Sequence, residues 1–235
     1  CYAKAMAIQY GRKTPQTWNN AVVRQKDLNK KHRRYSGTVM FPSSHDIHPN
    51  HLNEAITVLN NLLIPGNKVL IVSKAHLVCI ERICKDFAKF RQNILFRFTI
   101  GSTDFHVLKF WEPNAPDFSE RMECLKHAHG KGFNTSVSCE PMLDGDVEDL
   151  IRQASPFVND SIWIGKMNDP IKRLRINGHT DPATVNRAKQ LMQQQSDCNI
   201  KRLYRELNGN PKIEWKESIQ EVVGMNVPPK RRLGI

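Results

Sequence analysis

Short runs of apolar residues alternate along this chain with longer segments in which apolar side chains recur every three or four positions. The short runs have the length and β-branched character of buried strands, and the longer segments have the spacing of one helix face. Turn-forming pairs such as Pro65-Gly66 separate the two kinds of segment. The pattern predicts five strands, near residues 37–41, 68–73, 93–101, 133–139 and 161–165.

The segments between the strands are predicted to be helices. In the first of them, Leu52, Ile56, Leu59 and Leu63 recur at the spacing of one helix face. Proline or aspartate stands at the start of several of these segments, as is common at helix amino termini. The predicted helices cover about residues 49–64, 76–91, 117–132 and 146–154, with a short helical loop at 105–111.

Two further helices are predicted outside this alternation. Thr14-Pro15 places a capping hydroxyl before a proline, which predicts a helix from there to about residue 34. Asp181-Pro182 predicts one long helix to about residue 207. From residue 210 onward the pattern is less regular and ends in a basic tail. We therefore expect two parts, a core at residues 1–170 and a carboxyl-terminal helical extension at residues 171–235.

Strictly alternating strands and helices predict an α/β fold with a parallel sheet and right-handed crossovers. No GxGxxG follows a predicted strand and no GxxxxGK[ST] occurs, so the usual signals of a nucleotide-binding doubly wound sheet are missing. The remaining prediction is a barrel or partial barrel, a partial TIM-like fold. In such a fold the chemistry is expected at the carboxyl ends of the strands.

Cysteine usage and hydropathy limit where the protein is expected to work. The six cysteines form no CxxC pair and no disulfide framework, which favours free thiols in a reducing compartment, the cytoplasm. The longest apolar runs have only the length of strands, so we expect no membrane span and no membrane partner.

The net charge of +12 is distributed unevenly. Residues 12–34 hold eight Lys or Arg against the single acid Asp27, and further basic groups lie at 201–205 and 230–232. Such a balance favours a polyanionic partner, nucleic acid first. The alternative is a solvated helix face followed by a basic tail.

Polar side chains follow every predicted strand at its carboxyl end. One alternative is that loops are polar in general, and Asp46 could cap the helix near Pro49. Lys74 and Glu140 are stronger candidates, because a charge next to a buried strand usually has a partner. The polar residues in question are Ser43, Ser44, His45 and Asp46, then Ser73 and Lys74, then Thr99 and 102–104, then Cys139 and Glu140, then 166–168.

Other kinds of site receive less support. His45, His48 and His51 match no standard zinc spacing, and no GxSxG is present for a serine hydrolase. A hydrolase or lyase that is built on the barrel and needs no metal cluster stays open as an alternative.

Several segments, taken in order, resemble the radical S-adenosylmethionine superfamily and, within it, the spore photoproduct lyase-like branch. Members open with a loop of the form CxxxCxYCYA, and the start of this chain looks like its end. The resemblance covers roughly residues 1–168. It is carried by Cys1-Tyr2-Ala3-Lys4-Ala5-Met6-Ala7, Ser73-Lys74, Phe96-Arg97-Phe98-Thr99-Ile100, Phe110-Trp111-Glu112-Pro113-Asn114-Ala115-Pro116, Arg121 and Gly132-Phe133.

This resemblance implies a partial (β/α)₆ barrel whose first strand lies upstream of the chain. It also implies a [4Fe–4S] cluster held by three thiolates, S-adenosylmethionine bound to the open iron, and an electron donor such as flavodoxin or ferredoxin. The implied reaction generates a 5′-deoxyadenosyl radical, which abstracts hydrogen from an unknown substrate in lyase-like chemistry. The alternative function is a basic nucleic-acid-binding module with a non-catalytic barrel.

The resemblance also implies roles for individual residues. Cys1 would be the third cluster ligand. The first two are absent from this sequence, so the resemblance implies a fragment that cannot hold the cluster and is inactive alone. Lys74 would pair with the methionine carboxylate of the cofactor. The other cofactor contacts implied are Ser43, Ser44 and Asp46 at the methionine amino group, Thr99 and Glu140 in the same cavity, and Gly165 and Lys166 on the adenine side.

Two departures from the family pattern concern the reaction. Pro42-Ser43 occupies the place where photoproduct lyases carry a hydrogen-donor thiol, so thymine-dimer repair does not follow from the resemblance. Cys139, at another strand end, is the candidate catalytic residue that would replace this hydrogen-donor thiol. The alternative is that the Cys139 thiol is only part of the core. No second CxxC set indicates an auxiliary cluster.

Overall fold

A six-stranded, all-parallel sheet lies at the centre of the protein. The computed structural model describes residues 2–18 and 20–226. Neighbouring strands follow chain order from β1 to β6, which confirms the predicted parallel α/β architecture. The strands are β1 (Val39–Met40), β2 (Val69–Ser73), β3 (Ile94–Thr99), β4 (Asn134–Cys139), β5 (Ile162–Ile164) and β6 (Ile213–Trp215).

Helices connect successive strands, as predicted. Asp117 caps α6 by accepting a hydrogen bond from Glu120 N, and Asp181 caps α9 in the same way through Thr184 N. The α-helices are α1 (Tyr2–Gln9), α2 (Gln25–Leu28), α3 (Leu52–Leu63), α4 (Leu77–Asp86), α5 (Phe105–Trp111), α6 (Phe118–Gly130), α7 (Val147–Ala154), α8 (Pro170–Ile176), α9 (Pro182–Gln194), α10 (Asp197–Leu207) and α11 (Glu217–Val223). Short 3₁₀ segments lie at Pro49–His51, Ala88–Asn93 and Ser155–Phe157.

The two faces of the sheet have different characters, because side chains alternate along each strand. One face packs against the helices and forms the hydrophobic core, to which it contributes Val69, Ile71, Ile94, Phe96, Phe98, Val137, Ile162, Ile164, Ile213 and Trp215. The strand register places a second set of side chains together on the opposite face. We call this the open face; it carries Leu70, Val72, Lys74, Leu95, Arg97, Thr99, Ser136, Ser138, Glu140, Trp163, Glu214 and Lys216.

The predicted helix from Thr14 to about residue 34 is wrong. Thr14 and Thr17 instead close a turn, in which the backbone N–H of each residue donates to the hydroxyl of the other. Within 20–34 the only helix is the four-residue α2. The starting signal was present, but the segment has too few apolar residues to bury a helix face, and helices depend on that burial.

The predicted helix at 182–207 is two helices, α9 and α10. They are separated at Gln195 and Ser196, and Ser196 is the residue before the first turn of α10. The buried Gln195 side chain accepts from Met167 N at 2.8 Å and donates to Met142 O at 2.8 Å. The break therefore places an amide where it links the loops that follow β4 and β5.

The segment after residue 210 is more regular than predicted. Ile213–Trp215 forms β6, which pairs with β5, and α11 follows it. The sheet thus continues into the part of the chain predicted as an extension, while the division near residue 170 stays a prediction. Within 2–18 and 20–226, no helix has the combination of length and apolar character needed to cross a membrane.

Candidate functional site at the carboxyl end of the sheet

Lys74 and Asp46 meet where β1 and β2 end. The Asp46 carboxylate accepts from the backbone N–H of Lys74 at 2.7 Å and from the Ser73 hydroxyl at 3.2 Å. Its second oxygen lies 3.8 Å from Lys74 Nζ. Asp46 is therefore fixed by the start of the β2–α4 loop. It does not cap the following 3₁₀ turn, where His48 Nδ1 accepts from Asn50 N.

Glu112, at the end of α5, is the second carboxylate beside Lys74. Its Oε1 lies 3.7 Å from Lys74 Nζ, and its Oε2 lies 2.8 Å from Nη1 of Arg121. The Arg121 side chain is 0% exposed and that of Glu112 is 12% exposed. A buried guanidinium requires a compensating charge, so Glu112 is held by Arg121 on one side and faces Lys74 on the other.

Arg121 also connects this group to the end of β3. Its Nη1 donates to the Thr99 carbonyl at 3.0 Å, and its Nε donates to the Pro116 carbonyl at 2.8 Å. The structure thus brings together the predicted residues Asp46 and Lys74 and adds Glu112 and Arg121; the predicted Thr99 joins them only through its backbone carbonyl. We call Asp46, Lys74, Glu112 and Arg121 the Lys74 cluster.

Ser43 and Ser44 lie at the same edge of the sheet in exposed bends after β1. Across the described residues, neither side chain makes a hydrogen bond. The structure therefore places both residues at the expected edge of the sheet. Their role in cofactor binding stays a prediction.

Glu140 belongs to a second group, at the ends of β4 and β6. Its Oε2 lies 2.9 Å from Nζ of Lys216. The two residues follow strands that are separated by β5, and they meet across Gly165. A Cβ on Gly165 would lie 2.9 Å from Lys216 Cβ and 3.0 Å from Glu140 Cγ, so this ion pair requires glycine at that position.

Trp163 lies beside this ion pair on the open face. Lys216 Nζ is 4.9 Å from the centre of the indole, and the Arg97 guanidinium carbon is 5.0 Å from it. Both contacts are within the range of cation–π attraction. The indole Nε1 is buried and has no hydrogen-bond partner among the residues that the structure describes.

Asp144 forms a third polar contact, between the loops after β3 and β4. It accepts from the Ser102 hydroxyl and, at 3.0 Å, from Asp146 N. Burial raises the pKa of Asp144 above its ordinary value, and the two hydrogen bonds oppose that shift. A partly buried carboxyl with a raised pKa at this edge is a candidate for proton transfer.

Among the described residues, Cys139 and Lys166 make none of the contacts that join the Lys74 cluster. Cys139 is 1% exposed on the core face, where burial raises the pKa of its thiol. Lys166 Nζ lies 3.5 Å from Asp197 at the start of α10, and its backbone N–H donates to the Ser218 hydroxyl. Cys1 lies outside the described residues, as does the basic tail at 230–232. Their predicted roles stay predictions.

Two of the additional residues had signals in the sequence. Arg97 interrupts an otherwise apolar strand, and Glu112 follows Trp111 in the segment that resembles the family loop. Lys216 had none, because Ile213–Trp215 is too short to be read as a strand without its neighbours. Among the described residues, no three His, Cys, Asp or Glu side chains form a group able to hold a metal ion, the three histidines near residue 48 included.

Comparison with known proteins adds no family to these observations. No protein-family model, curated protein or solved structure matches this chain. What the geometry does establish is a charged, partly buried group at the carboxyl end of a parallel sheet, where ligands of such sheets commonly bind.

Proposed function

We propose that this chain is the core of a radical S-adenosylmethionine enzyme and that the Lys74 cluster binds the amino acid part of the cofactor. The observation that carries the proposal is the position of the Lys74 ammonium. It lies 3.8 Å from Asp46 and 3.7 Å from Glu112, so it is held between two carboxylates without a close contact to either. Its side chain remains 29% exposed and free to meet a ligand carboxylate.

The charges of the cluster suit a zwitterionic ligand. Lys74 offers the cation for the cofactor carboxylate, and the partly exposed Asp46 offers an acceptor for its amino group. Glu112 and Arg121 compensate each other beneath them, so ligand binding leaves no buried charge unpaired. In this arrangement Asp46 orients the ligand, and Glu112 limits the movement of the lysine.

The iron–sulfur cluster in the proposal would be held by Cys1, which lies outside the described residues, together with two thiolates that the given sequence does not contain. Such a cluster would supply the electron for cleavage of the sulfonium of the cofactor. The residues of this chain hold the cofactor against the open face, and the sheet would curve as a partial TIM-like barrel around it. Hydrogen abstraction from an unknown substrate, with reduction by flavodoxin or ferredoxin, completes the proposal.

We also place the protein in the cytoplasm. Four of the cysteines in the described residues, Cys79, Cys84, Cys124 and Cys139, are buried as free thiols. Free thiols of this kind are usual in a reducing compartment.

Binding of S-adenosylmethionine tests the role of the cluster. In reconstituted full-length protein, Lys74→Ala should weaken the affinity measured by calorimetry by about tenfold or more, the loss of one charge-assisted contact. Lys85→Ala, which removes an exposed lysine of α4, is the matched control and should bind as the native protein does. An unchanged Kd in Lys74→Ala would show that the cofactor does not bind here.

A basic nucleic-acid-binding module is the second candidate, favoured by residues 20–34. Outside α2 this segment is non-helical and mostly exposed. It is held by Asn61 of α3, which donates to Leu28 O, and by Asn67, in the turn between α3 and β2, which donates to Arg33 O. Replacing Lys30 and Lys31 by alanine should reduce both the affinity for DNA and its dependence on salt. Equal affinity for DNA in the variant and the native protein at low and high salt would remove this candidate.

A further inference from the structure

Arg97 is a charged residue in the middle of β3, on the open face. Its side chain is only 14% exposed. Nε donates to the Ser136 hydroxyl at 3.0 Å, while Nη2 lies 3.7 Å from Asp160, beyond hydrogen-bond distance. Burial lowers the pKa of Arg97, and Asp160 opposes that shift. Such a cation is costly to bury because its compensation is incomplete.

The neighbours of Arg97 do not depend on it. The Ser136 hydroxyl donates to Ser161 O at 2.7 Å, and the Asp160 carboxylate accepts from the Ser161 hydroxyl at 2.6 Å. Removing the guanidinium would therefore leave neither partner without a hydrogen bond. Arg97 does contact the Trp163 indole and Ser136, but within the described residues its two Nη groups donate to no acceptor at hydrogen-bond distance and so remain for a ligand.

Hydrogen-bond donors lie on one side of Arg97, towards the carboxyl ends of the strands, while its register neighbour on β2 is the apolar Val72. In the next row of the sheet the register aligns Thr99, Ser138 and Trp163 on neighbouring strands. Thr99 and Ser138 contribute hydroxyls, and the buried Trp163 Nε1 has no partner within the described part of the chain. On the other side of Trp163 the register aligns Glu214 of β6, and Glu140 at the end of β4 is paired with Lys216.

We infer that the open face holds an oxyanion, the carboxylate or phosphate of a small substrate, with Arg97 as its main contact and the Thr99 and Ser138 hydroxyls beside it. A planar guanidinium suits either anion, because its fork can donate two parallel hydrogen bonds. Lys74 follows β2 in the row of Thr99, two residues beyond that of Arg97, so the two cationic sites lie roughly 7 Å apart along the strands. The assignment of this anion to a substrate rests on the proposed function. The existence of the anion site does not depend on that function.

Thermal unfolding of the chain with added inorganic phosphate or acetate, at an ionic strength held constant with sodium chloride, tests the site. We expect one of these anions to raise the Tm of the native protein and of Arg82→Met, an exposed arginine of α4 that serves as the matched control. Arg97→Met should show no rise, and Arg97→Lys, which keeps the charge without the fork, a smaller one. The anion that acts, phosphate or acetate, identifies the chemical class.

The variants also separate a binding role from a structural one. Without added anion, Arg97→Met should unfold at a Tm no lower than that of the native protein, because a poorly compensated charge has been removed. A lower Tm, failure to fold, or an undiminished response to the anion would each overturn the inference, as would a native protein that responds to neither anion. Lys74→Ala should keep the response; losing it would place the anion at Lys74 instead, and failure of the cofactor proposal alone leaves the response intact.

Discussion

Arg121 shows what a single buried cation requires of its surroundings. It is fully buried, and Glu112 is the carboxylate that compensates it. Because the other carboxylate oxygen of Glu112 faces Lys74, the same side chain joins the stability of α6 to the position of a proposed ligand-binding group. Glu112 therefore links the stability of the fold to the proposed ligand site.

Glu112→Gln should for this reason destabilise the protein. The amide keeps the shape of the side chain but leaves Arg121 as an uncompensated buried charge, which costs about 3 kcal/mol. Urea unfolding measures the change in free energy, and Glu81→Gln, an exposed glutamate of α4, is the control. Equal stability of the two variants would mean that the Glu112–Arg121 pair contributes little to the fold.

Asp144 should make stability depend on pH in a defined direction. Its pKa is raised in the folded state by burial, so the folded protein binds the proton more tightly than the unfolded chain does. Its contribution is most favourable below the ordinary aspartate value near 4 and is lost as the pH rises through the folded pKa.

Asp144→Asn should remove that decline, as measured by urea unfolding across a pH series and taken as the difference from the native protein. Asp181→Asn is the counterpart, because hydrogen bonds from Thr184 lower the pKa of Asp181. Its carboxylate contributes stability above the ordinary value that is lost as the pH falls through the folded pKa. Differences of the same sign in both variants would contradict the two pKa directions.

At the scale of elements, what could be predicted from the sequence depended on burial. The strands from β1 to β5 were predicted because apolar runs between turn residues report directly on a buried sheet. The helix predicted after Thr14 does not form, because a capping residue without an apolar face is not enough to stabilise a helix. Strand β6 was not predicted, because three residues are too few to show a hydrophobic pattern. Whether a strand of that length forms depends on pairing with β5, which only the folded chain provides.

The residues of the candidate site divide in a similar way, into those that topology alone places and those that depend on the folded chain. Lys74, Thr99 and Glu140 were found because the carboxyl ends of parallel strands lie at one edge, a consequence of topology alone. The partners Glu112 and Lys216 were not found, because their contacts depend on the position of α5 and on the presence of β6. Cys139 and Glu140 are neighbours in sequence, yet strand alternation places them on opposite faces of the sheet.

Gly165 is a test of how β4, β5 and β6 fit together. Gly165→Ala should break or displace the Glu140–Lys216 pair, because the new Cβ would overlap both side chains. We expect a destabilisation of about 1–3 kcal/mol in urea unfolding, typical of overpacking. Gly37→Ala, where a Cβ meets open space, should be close to neutral. A neutral Gly165→Ala would show that the two side chains do not cross β5 as described.

For the molecule as a whole, the two faces of the sheet differ in the side chains that they carry. The core face buries apolar side chains against the helices and supplies the stability. The open face carries basic, acidic and hydroxyl side chains beside the apolar Leu70, Val72 and Leu95, and its polar groups stabilise a fold poorly but suit a polar ligand. The proposed cofactor and substrate sites both lie on this open face or at its edge, while the basic segment along α3 lies outside it.

Formation of 5′-deoxyadenosine tests the proposed enzyme most directly. The full-length gene product would be reconstituted with iron and sulfide without oxygen, then incubated with S-adenosylmethionine and a reductant, and the product measured by chromatography. We predict that the native protein and Lys85→Ala form 5′-deoxyadenosine and that Lys74→Ala forms at least tenfold less at limiting cofactor. A native protein that acquires no cluster and forms no 5′-deoxyadenosine would contradict the proposal.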